Sequence, residues 1–302
     1  MRVGVLAGGP SNEREISLRS GKAVYNALVQ EGVDAVFLDV YDDIGNALKD
    51  DRIDVAFIAL HGRFGEDGTV QKMLEDANIP YTGSDSAASS VALDKIASKR
   101  IFEKYNIPTP RYAVLGKGDP YEKEVLRLGF PIVVKPQFEG SSIGLSVVRE
   151  AKDLEQALST AFEYGTKVLL EEYINGRELT VGILDDKPLP VIEIVPKDHV
   201  YDYKAKYSDP QTQYLVPAPI DEDTARRVMA LGLDAHKRLG CRSFSRVDIM
   251  MNSKGEIFVL EVNTIPGMTE RSLLPKAAGA IGLSFNKLCI KLIDNALKNL
   301  KR

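Results

Sequence analysis

The first third of the chain alternates short apolar runs with helix-length segments, and no other feature limits its folding as tightly. Val3 to Ala7 is an apolar run that ends in the turn Gly8-Gly9-Pro10-Ser11-Asn12. A helix follows from about Glu13 to Gln30, with Ile16, Ala23, Val24, Ala27 and Leu28 as its apolar stripe. Runs at 35–40 and 55–60 and a helix at about 69–77 continue the rhythm. Parallel strands need crossover connections, so this order predicts a small open parallel sheet, with ligands gathered beyond the carboxyl ends of its strands. Those ends are polar: Gly8 to Glu15 follows the first strand, and His61 to Gly68 follows the strand ending at Leu60.

A helix rich in Lys and Arg, about 86–105, ends at Asn106-Ile107-Pro108-Thr109-Pro110 and leads into a second unit. There the pattern becomes Ile132-Val133-Val134-Lys135-Pro136, a glycine-rich loop, a strand at 145–148, a helix at 153–164 and a strand at 168–172. Strands at 181–184 and 191–195, a polar loop at 197–215, a helix at 221–239, a hairpin and a terminal helix at 284–300 complete the chain. With 302 residues it can bury two or three modest cores. The expected division is 1–93, 94–181 and 182–302.

A net charge of -4 gives no general attraction to polyanions and argues against nucleic acid as a partner. Cys241 and Cys289 match no zinc-ligand or CxxC spacing, which fits reduced, buried thiols. No apolar run approaches the ~20 residues that span a bilayer. The apolar start is too short for a signal peptide. The expectation is a cytoplasmic protein that does not engage membranes.

Phe244 to Met251 and Glu256 to Val262 flank Asn252-Ser253-Lys254-Gly255, a strong turn signal. If Asn252 pairs with Gly255, Arg246 faces Glu261 and Asp248 faces Val259. Alternation then places Arg246, Asp248, Glu261 and Asn263 on one face, and Val247, Ile249, Phe258, Leu260 and Val262 on the other, toward a core. Two carboxylates and an amide oxygen form a hard-oxygen site suited to Mg²⁺, completed by water or phosphate. The same residues also suit a solvated cross-strand salt bridge, and a bulge at Gly255 would slip the register and part the two acids.

Phe138-Glu139-Gly140-Ser141-Ser142-Ile143-Gly144 lies between two predicted strands. Small residues let backbone N–H groups wrap phosphate oxygens, although a plain hairpin loop reads the same way. It is neither a Walker A loop nor a dinucleotide fingerprint. Lys135 closes an apolar strand, where its ammonium needs an anion. Lys95, one of several lysines on its helix, reads by itself as a solvated surface charge. Glu171, at a strand end, and Glu178 beyond it either hold an adenine amino group and ribose hydroxyls or are solvated.

Together these stretches resemble the D-alanine–D-alanine ligase family of the ATP-grasp superfamily, across essentially the whole chain. The resemblance is carried by Gly8 to Ser17, Ala59 to Gly68, Val134-Lys135-Pro136 with Glu139-Gly140-Ser141-Ser142, Tyr201-Asp202-Tyr203 with Lys206-Tyr207, Arg246-Val247-Asp248, and Glu261-Val262-Asn263-Thr264 with Pro266-Gly267-Met268-Thr269. It implies an α/β fold: a small N-terminal open parallel sheet domain, then two ATP-grasp (α+β) domains that hold ATP between them. It also implies ATP-dependent ligation of two D-alanines through a D-alanyl phosphate, for peptidoglycan precursor synthesis, by a homodimer. Lys95 and Lys135 would contact phosphates, with Ser141 and Ser142 closing over them. Glu171 would hold adenine and Glu178 the ribose, with Met250 and Leu260 in the apolar part of the nucleotide cleft. Asp248, Glu261 and Asn263 would bind two Mg²⁺ or Mn²⁺ ions. Glu13 would hold the ammonium of the first D-alanine, and His61 would line the substrate site. Arg246 and the backbone near Gly267 would stabilise an oxyanion. Ser272 and Leu273 would hold the second carboxylate. Lys206 and Tyr207 would lie on a sealing loop, with Tyr207 linked toward Glu13 and Ser142.

Two other readings compete. A D-alanine–D-lactate ligase resembles this chain but differs in that loop and tyrosine, so Lys206-Tyr207 favours the dipeptide. A non-catalytic nucleotide-binding module has no need of Lys135, Arg246, Asp248, Glu261 and Asn263 together. A nicotinamide-dependent dehydrogenase is disfavoured by the missing fingerprint.

Overall fold

The computed structural model describes residues 1–41, 44–45, 52–196 and 212–299. Its first sheet holds β1 (Arg2–Gly8), β2 (Asp34–Val40) and β3 (Val55–Ile58), all parallel in the order β2-β1-β3. Helices α1 (Arg14–Gln30) and α2 (Thr69–Asp76) follow β1 and β3. The strands are apolar on both faces because both faces are covered. Val3, Val5 and Phe57 pack with Val24 and Leu28 of α1, whereas Leu6 and Ile58 pack with Val70 and Leu74 of α2.

The lysine-rich helix expected over 86–105 is two helices, α3 (Ser86–Leu93) and α4 (Lys95–Lys104). Asp94 breaks it. Its backbone is extended, and its carboxylate accepts the amides of Ile96 and Ala97 at 2.9 and 3.1 Å. A short acidic side chain that caps free amides competes with continuation of the helix. The break puts Lys95 at the first position of α4, beside the middle unit.

That unit has an antiparallel sheet of β4 (Tyr112–Gly116), β5 (Ile132–Pro136), β6 (Ser146–Val148) and β7 (Lys167–Glu172), in the order β4-β7-β5-β6. Helices α5 (Glu122–Leu128) and α6 (Leu154–Phe162) cover one face, where Leu154, Ala157 and Ala161 meet Ile132, Val134 and Leu170. Alternation sends Val133, Lys135 and Glu171 to the other face, toward a cleft.

The last sheet holds β8 (Gly176–Leu184), β9 (Lys187–Pro188), β10 (Ile192–Val195), β11 (Gln213–Leu215), β12 (Phe244–Asn252) and β13 (Ile257–Asn263). Its order is β11-β10-β8-β12-β13, with β9 on β8. Strand β8 starts earlier than the expected 181–184 and runs across the 181/182 division. Helix α7 (Glu222–Arg238) covers one face through Val228 and Ala235 against Val181, Val247 and Ile249. Helices α8 (Leu273–Ala280) and α9 (Phe285–Asn299) close the chain. Leu288, Leu292 and Ile293 of α9 share a core with Val3, Val5 and Phe57, so the two ends of the chain form one body. Among the described residues, no helix is long and apolar enough to cross a membrane.

Candidate active site between the two antiparallel sheets

The second face of the middle sheet opposes the part of the last sheet's second face that α8 leaves open, across a cleft. Lys95, Lys135, Ser141, Ser142, Glu171 and Glu178 line it, and Asp248, Met250, Leu260 and Glu261 lie on the side of the last sheet. A second cavity adjoins it on the N-terminal side, lined by Glu13, His61, Arg246, Gly267, Ser272 and Leu273, together with Asn263. Ser141 and Glu261 line both. Every expected site residue within the described part therefore borders one of two joined spaces. Lys206 and Tyr207 lie outside the described residues.

The hairpin reaches this geometry by a different register from the simple one. Asn252 pairs with Glu256 around a three-residue loop that ends at Gly255, whose φ is +76°. That slips the register by one, the slip that would part the acids. A second irregularity at Leu260 restores the parity: Ile249 faces Val259, but Asp248 faces Glu261 and Arg246 faces Asn263. The four polar residues therefore still share a face. The bulge also corrects the expected apolar side. Leu260 faces the cleft rather than the core, and Phe258 pairs with Met250 of the cleft face.

Asp248 is 7% exposed and heavily bonded. Arg246 donates from Nε and Nη2 to its two carboxylate oxygens at 2.9 and 2.7 Å. Thr180 Oγ1 donates at 2.7 Å, and Asn263 Nδ2 at 3.1 Å. Thr180 was missed in the sequence, because only pairing of β8 with β12 places it opposite Asp248. The donor set is two carboxylates and an amide, all hard oxygens, and it fits Mg²⁺. Among the described residues no cluster of three or more His, Cys, Asp or Glu is gathered for a metal. An ion held here would take its remaining ligands from water or phosphate.

On the facing sheet the lysines are organised around Glu171, which is 2% exposed. Lys135 Nζ lies 2.5 Å from its Oε2, and Lys99 Nζ forms an ion pair with Oε1. Burial alone would raise the Glu171 carboxyl, but Lys135 and Lys99 outweigh it and hold it below its ordinary value. Burial pushes Lys99 down to about 8, with Glu171 opposing the shift. Lys95 is buried too, against the surface reading. Its Nζ donates to the Glu139 carbonyl at 2.5 Å and lies 3.8 Å from Glu261 Oε2. Burial lowers its pKa, and Glu261 partly offsets that.

In the second cavity Glu13 sits at the N-cap of α1 and takes a hydrogen bond from Ser141 Oγ. Ser141 and Ser142 both line the neighbouring cleft. Both serines have left-handed backbones, φ 49° and 60°, a strained pairing for residues with side chains and one typical of functional loops. The Glu13 carboxylate is wedged between backbones: a Cβ on Gly62 or Gly140 would stand 2.7 or 2.8 Å from its Oε2. His61 is held neutral, its pKa lowered to about 4 by burial and further by Arg246, against a hydrogen bond to the Ile265 backbone. Its Nε2 lies 3.1 Å from Ser20 Oγ, which accepts the Met268 amide at 3.3 Å.

Glu66 accepts the Gly62 amide at 2.7 Å. Burial, then the charge of Glu13, raise it from 4.5 to about 8, so it stays protonated at neutral pH. The folded state therefore keeps a proton that the unfolded chain releases as pH rises above 4.5, and stability falls through that window. Glu66→Gln should abolish this dependence. In urea unfolding from pH 5 to 8, the variant should gain on the wild type steadily with pH, and a constant difference would contradict the assignment.

The family sequence patterns described as D-ala D-ala ligase N-terminus and C-terminus match residues 41–84 and 101–294. The D-alanine–D-alanine ligase of Citrifermentans bemidjiense is 48% identical over 98% of this chain and 96% of its own length. That of Trichlorobacter lovleyi is also 48% identical, over 98% and 95%. Among solved structures, the D-alanine–D-alanine ligase of Bacillus anthracis superposes with a TM-score of 0.91 at 40% identity, covering 100% and 99% of the two chains. A second structure of it, complexed with ATP, gives 0.88 at 37%, again over 100% and 99%. The VanG D-Ala:D-Ser ligase of Enterococcus faecalis gives 0.84 at 31%, over 98% and 99%.

Proposed function

The chain belongs to the D-alanine–D-alanine ligase family, and we propose that its two joined cavities divide the family's reaction between them. The protein is an ATP-dependent ligase that joins two D-alanines into D-alanyl-D-alanine and releases ADP and phosphate. ATP occupies the cleft between the sheets, and the amino acids occupy the cavity beside Glu13. One observation carries the division: Glu261 borders both spaces, with Asp248 on the nucleotide side and Asn263 on the substrate side.

A carboxylate is a poor electrophile, so it must first be activated. An oxygen of the first D-alanine attacks the γ-phosphorus, the bond to the β-phosphate oxygen breaks, and ADP leaves. Lys95 and Lys135 hold the phosphates. This is catalysis by position and charge. Asp248, Glu261 and Asn263 would hold two Mg²⁺ or Mn²⁺ ions, which neutralise charge on the phosphoryl group. Glu13, fixed by Ser141, orients the first D-alanine through its ammonium. Ser272 and Leu273 place the second, whose amine, once deprotonated, attacks the acyl carbon. Arg246 and the Gly267 backbone face the oxyanion that forms. The C–O bond then breaks and phosphate leaves. Glu178 would take the ribose, and Met250 and Leu260 the base. Glu171, paired with Lys135 and Lys99, would hold the adenine amino group, since each carboxylate oxygen keeps a second lone pair. Lys206 and Tyr207, outside the described residues, would help exclude water from the acyl phosphate.

The three units 1–93, 94–181 and 182–302 fit this scheme if the middle one ends before β8, since that whole strand pairs within the last sheet. Cytoplasmic work and assembly as a homodimer rest on family membership. The test is ADP release with ATP, Mg²⁺ and D-alanine, set against L-alanine alone and against D-lactate as second substrate. Release with D-alanine and none with L-alanine is expected, with the dipeptide as product. No release above background with D-alanine would overturn the reading.

A further inference from the structure

Lys99 borders neither cavity, yet it is buried more deeply than the lysines that do, at 1% exposure against 6% for Lys135 and 9% for Lys95. It stands behind Glu171. Its Nζ pairs with Oε1 of that carboxylate and donates to Thr109 Oγ1 at 2.7 Å. Thr109 Oγ1 in turn donates to the Val259 carbonyl at 2.7 Å, and the Val259 amide donates to the Pro108 carbonyl at 2.8 Å. The Lys99 ammonium is thus anchored to β13 immediately before the bulge that turns Leu260 and Glu261 into the cleft.

Glu171 carries one negative charge and faces two ammonium groups. If Lys135 were its only partner, the buried carboxylate would claim that whole charge, because an unpaired buried charge is far more costly than a paired one. With Lys99 on Oε1, the three groups carry a net single positive charge, and that charge lies on the cleft side. We propose that Lys99 is a positioning residue for the nucleotide: it neutralises Glu171 from behind and so leaves the charge of Lys135 to the phosphates of ATP. The inference rests on the reading of Lys135 as a phosphate-binding residue.

The test uses the full-length enzyme, with ATP affinity measured by calorimetry and KM and kcat by ADP release. Lys99→Met should weaken ATP binding and raise its KM by about tenfold or more, the effect of one lost charge-assisted hydrogen bond. The KM for D-alanine should stay within about twofold, since only nucleotide binding is touched. Lys99→Arg, which keeps the charge, should restore most of the ATP affinity. Lys99→Met combined with Glu171→Gln should bind ATP about as well as Glu171→Gln alone, because the charge to be balanced is gone. A role in packing alone predicts that the two changes add, and additivity would overturn the proposal. So would an unchanged ATP affinity in Lys99→Met. Should that variant not fold, the double variant decides. It must fold and match Glu171→Gln, and failure of either kind overturns the proposal. Lys135→Met separates the two levels of inference. If it binds ATP normally, the reading of the cleft fails. If it loses ATP while Lys99→Met does not, the role of Lys99 alone fails.

Discussion

Replacing Glu261 with glutamine should lower turnover by roughly 10³-fold while leaving the unfolding temperature within experimental scatter. Among the described residues, the carboxylate is the one acidic group that borders both the proposed nucleotide cleft and the proposed substrate cavity. A ligand that neutralises charge as the phosphoryl group moves contributes several kcal/mol to the transition state, and an amide in its place supplies far less. The fold should tolerate the change. Glu261 is only partly buried, and its ion pair with Lys95 is long, at 3.8 Å. Glutamine keeps the size and hydrogen-bonding oxygen of the side chain, so the local packing should survive. Turnover close to wild type would remove Glu261 from the metal site, and a large fall in unfolding temperature would make it structural instead.

Replacing Arg246 with methionine should behave differently, because under the proposed function this residue serves two ends. Loss of one oxyanion-stabilising group costs about 10²- to 10³-fold in kcat. The same change strips two hydrogen bonds from Asp248, a carboxylate only 7% exposed. Breaking a buried pair on one side destabilises by on the order of 3 kcal/mol, so the unfolding temperature should fall with activity. Arg246→Lys should rescue poorly, since an ammonium does not reproduce the two-pronged geometry. Added Mg²⁺ or Mn²⁺ should recover part of the lost stability by giving Asp248 a new counter-charge. The pair of measurements is kcat beside thermal unfolding with and without the metal. Equal stability in Arg246→Met and wild type would show that Asp248 does not depend on the guanidinium.

Much of this arrangement can be read from the residues, and the gaps have definite causes. The parallel sheet follows from the alternation of apolar runs and helices, and the hairpin from its turn. The register of the hairpin does not. Two one-residue slips, at Gly255 and Leu260, cancel in parity, so the simple pairing reached the right face by the wrong partners. Helix periodicity shows that the 86–105 segment carries several lysines but not that Asp94 breaks it, or which lysines turn inward. Spacing alone does not separate Lys95, at the cleft, from Lys99, one turn on and behind Glu171. The strand-end position of Glu171 does not reveal that lysines on β5 and α4 pair with it. Contacts between distant segments leave no local trace. The core shared by α9 and β1 is one case, and Thr180 against Asp248 another.

The central claim is that the γ-phosphate and the substrate carboxylate meet where the two cavities join, beside Glu261. D-alanine labelled with ¹⁸O in its carboxylate tests it most directly. If the carboxylate is phosphorylated first, one labelled oxygen must leave with the inorganic phosphate for each dipeptide formed, in the wild type and in whatever slow turnover remains in Glu261→Gln. Phosphate that carries no label above the level of solvent exchange, while dipeptide accumulates, would contradict the account.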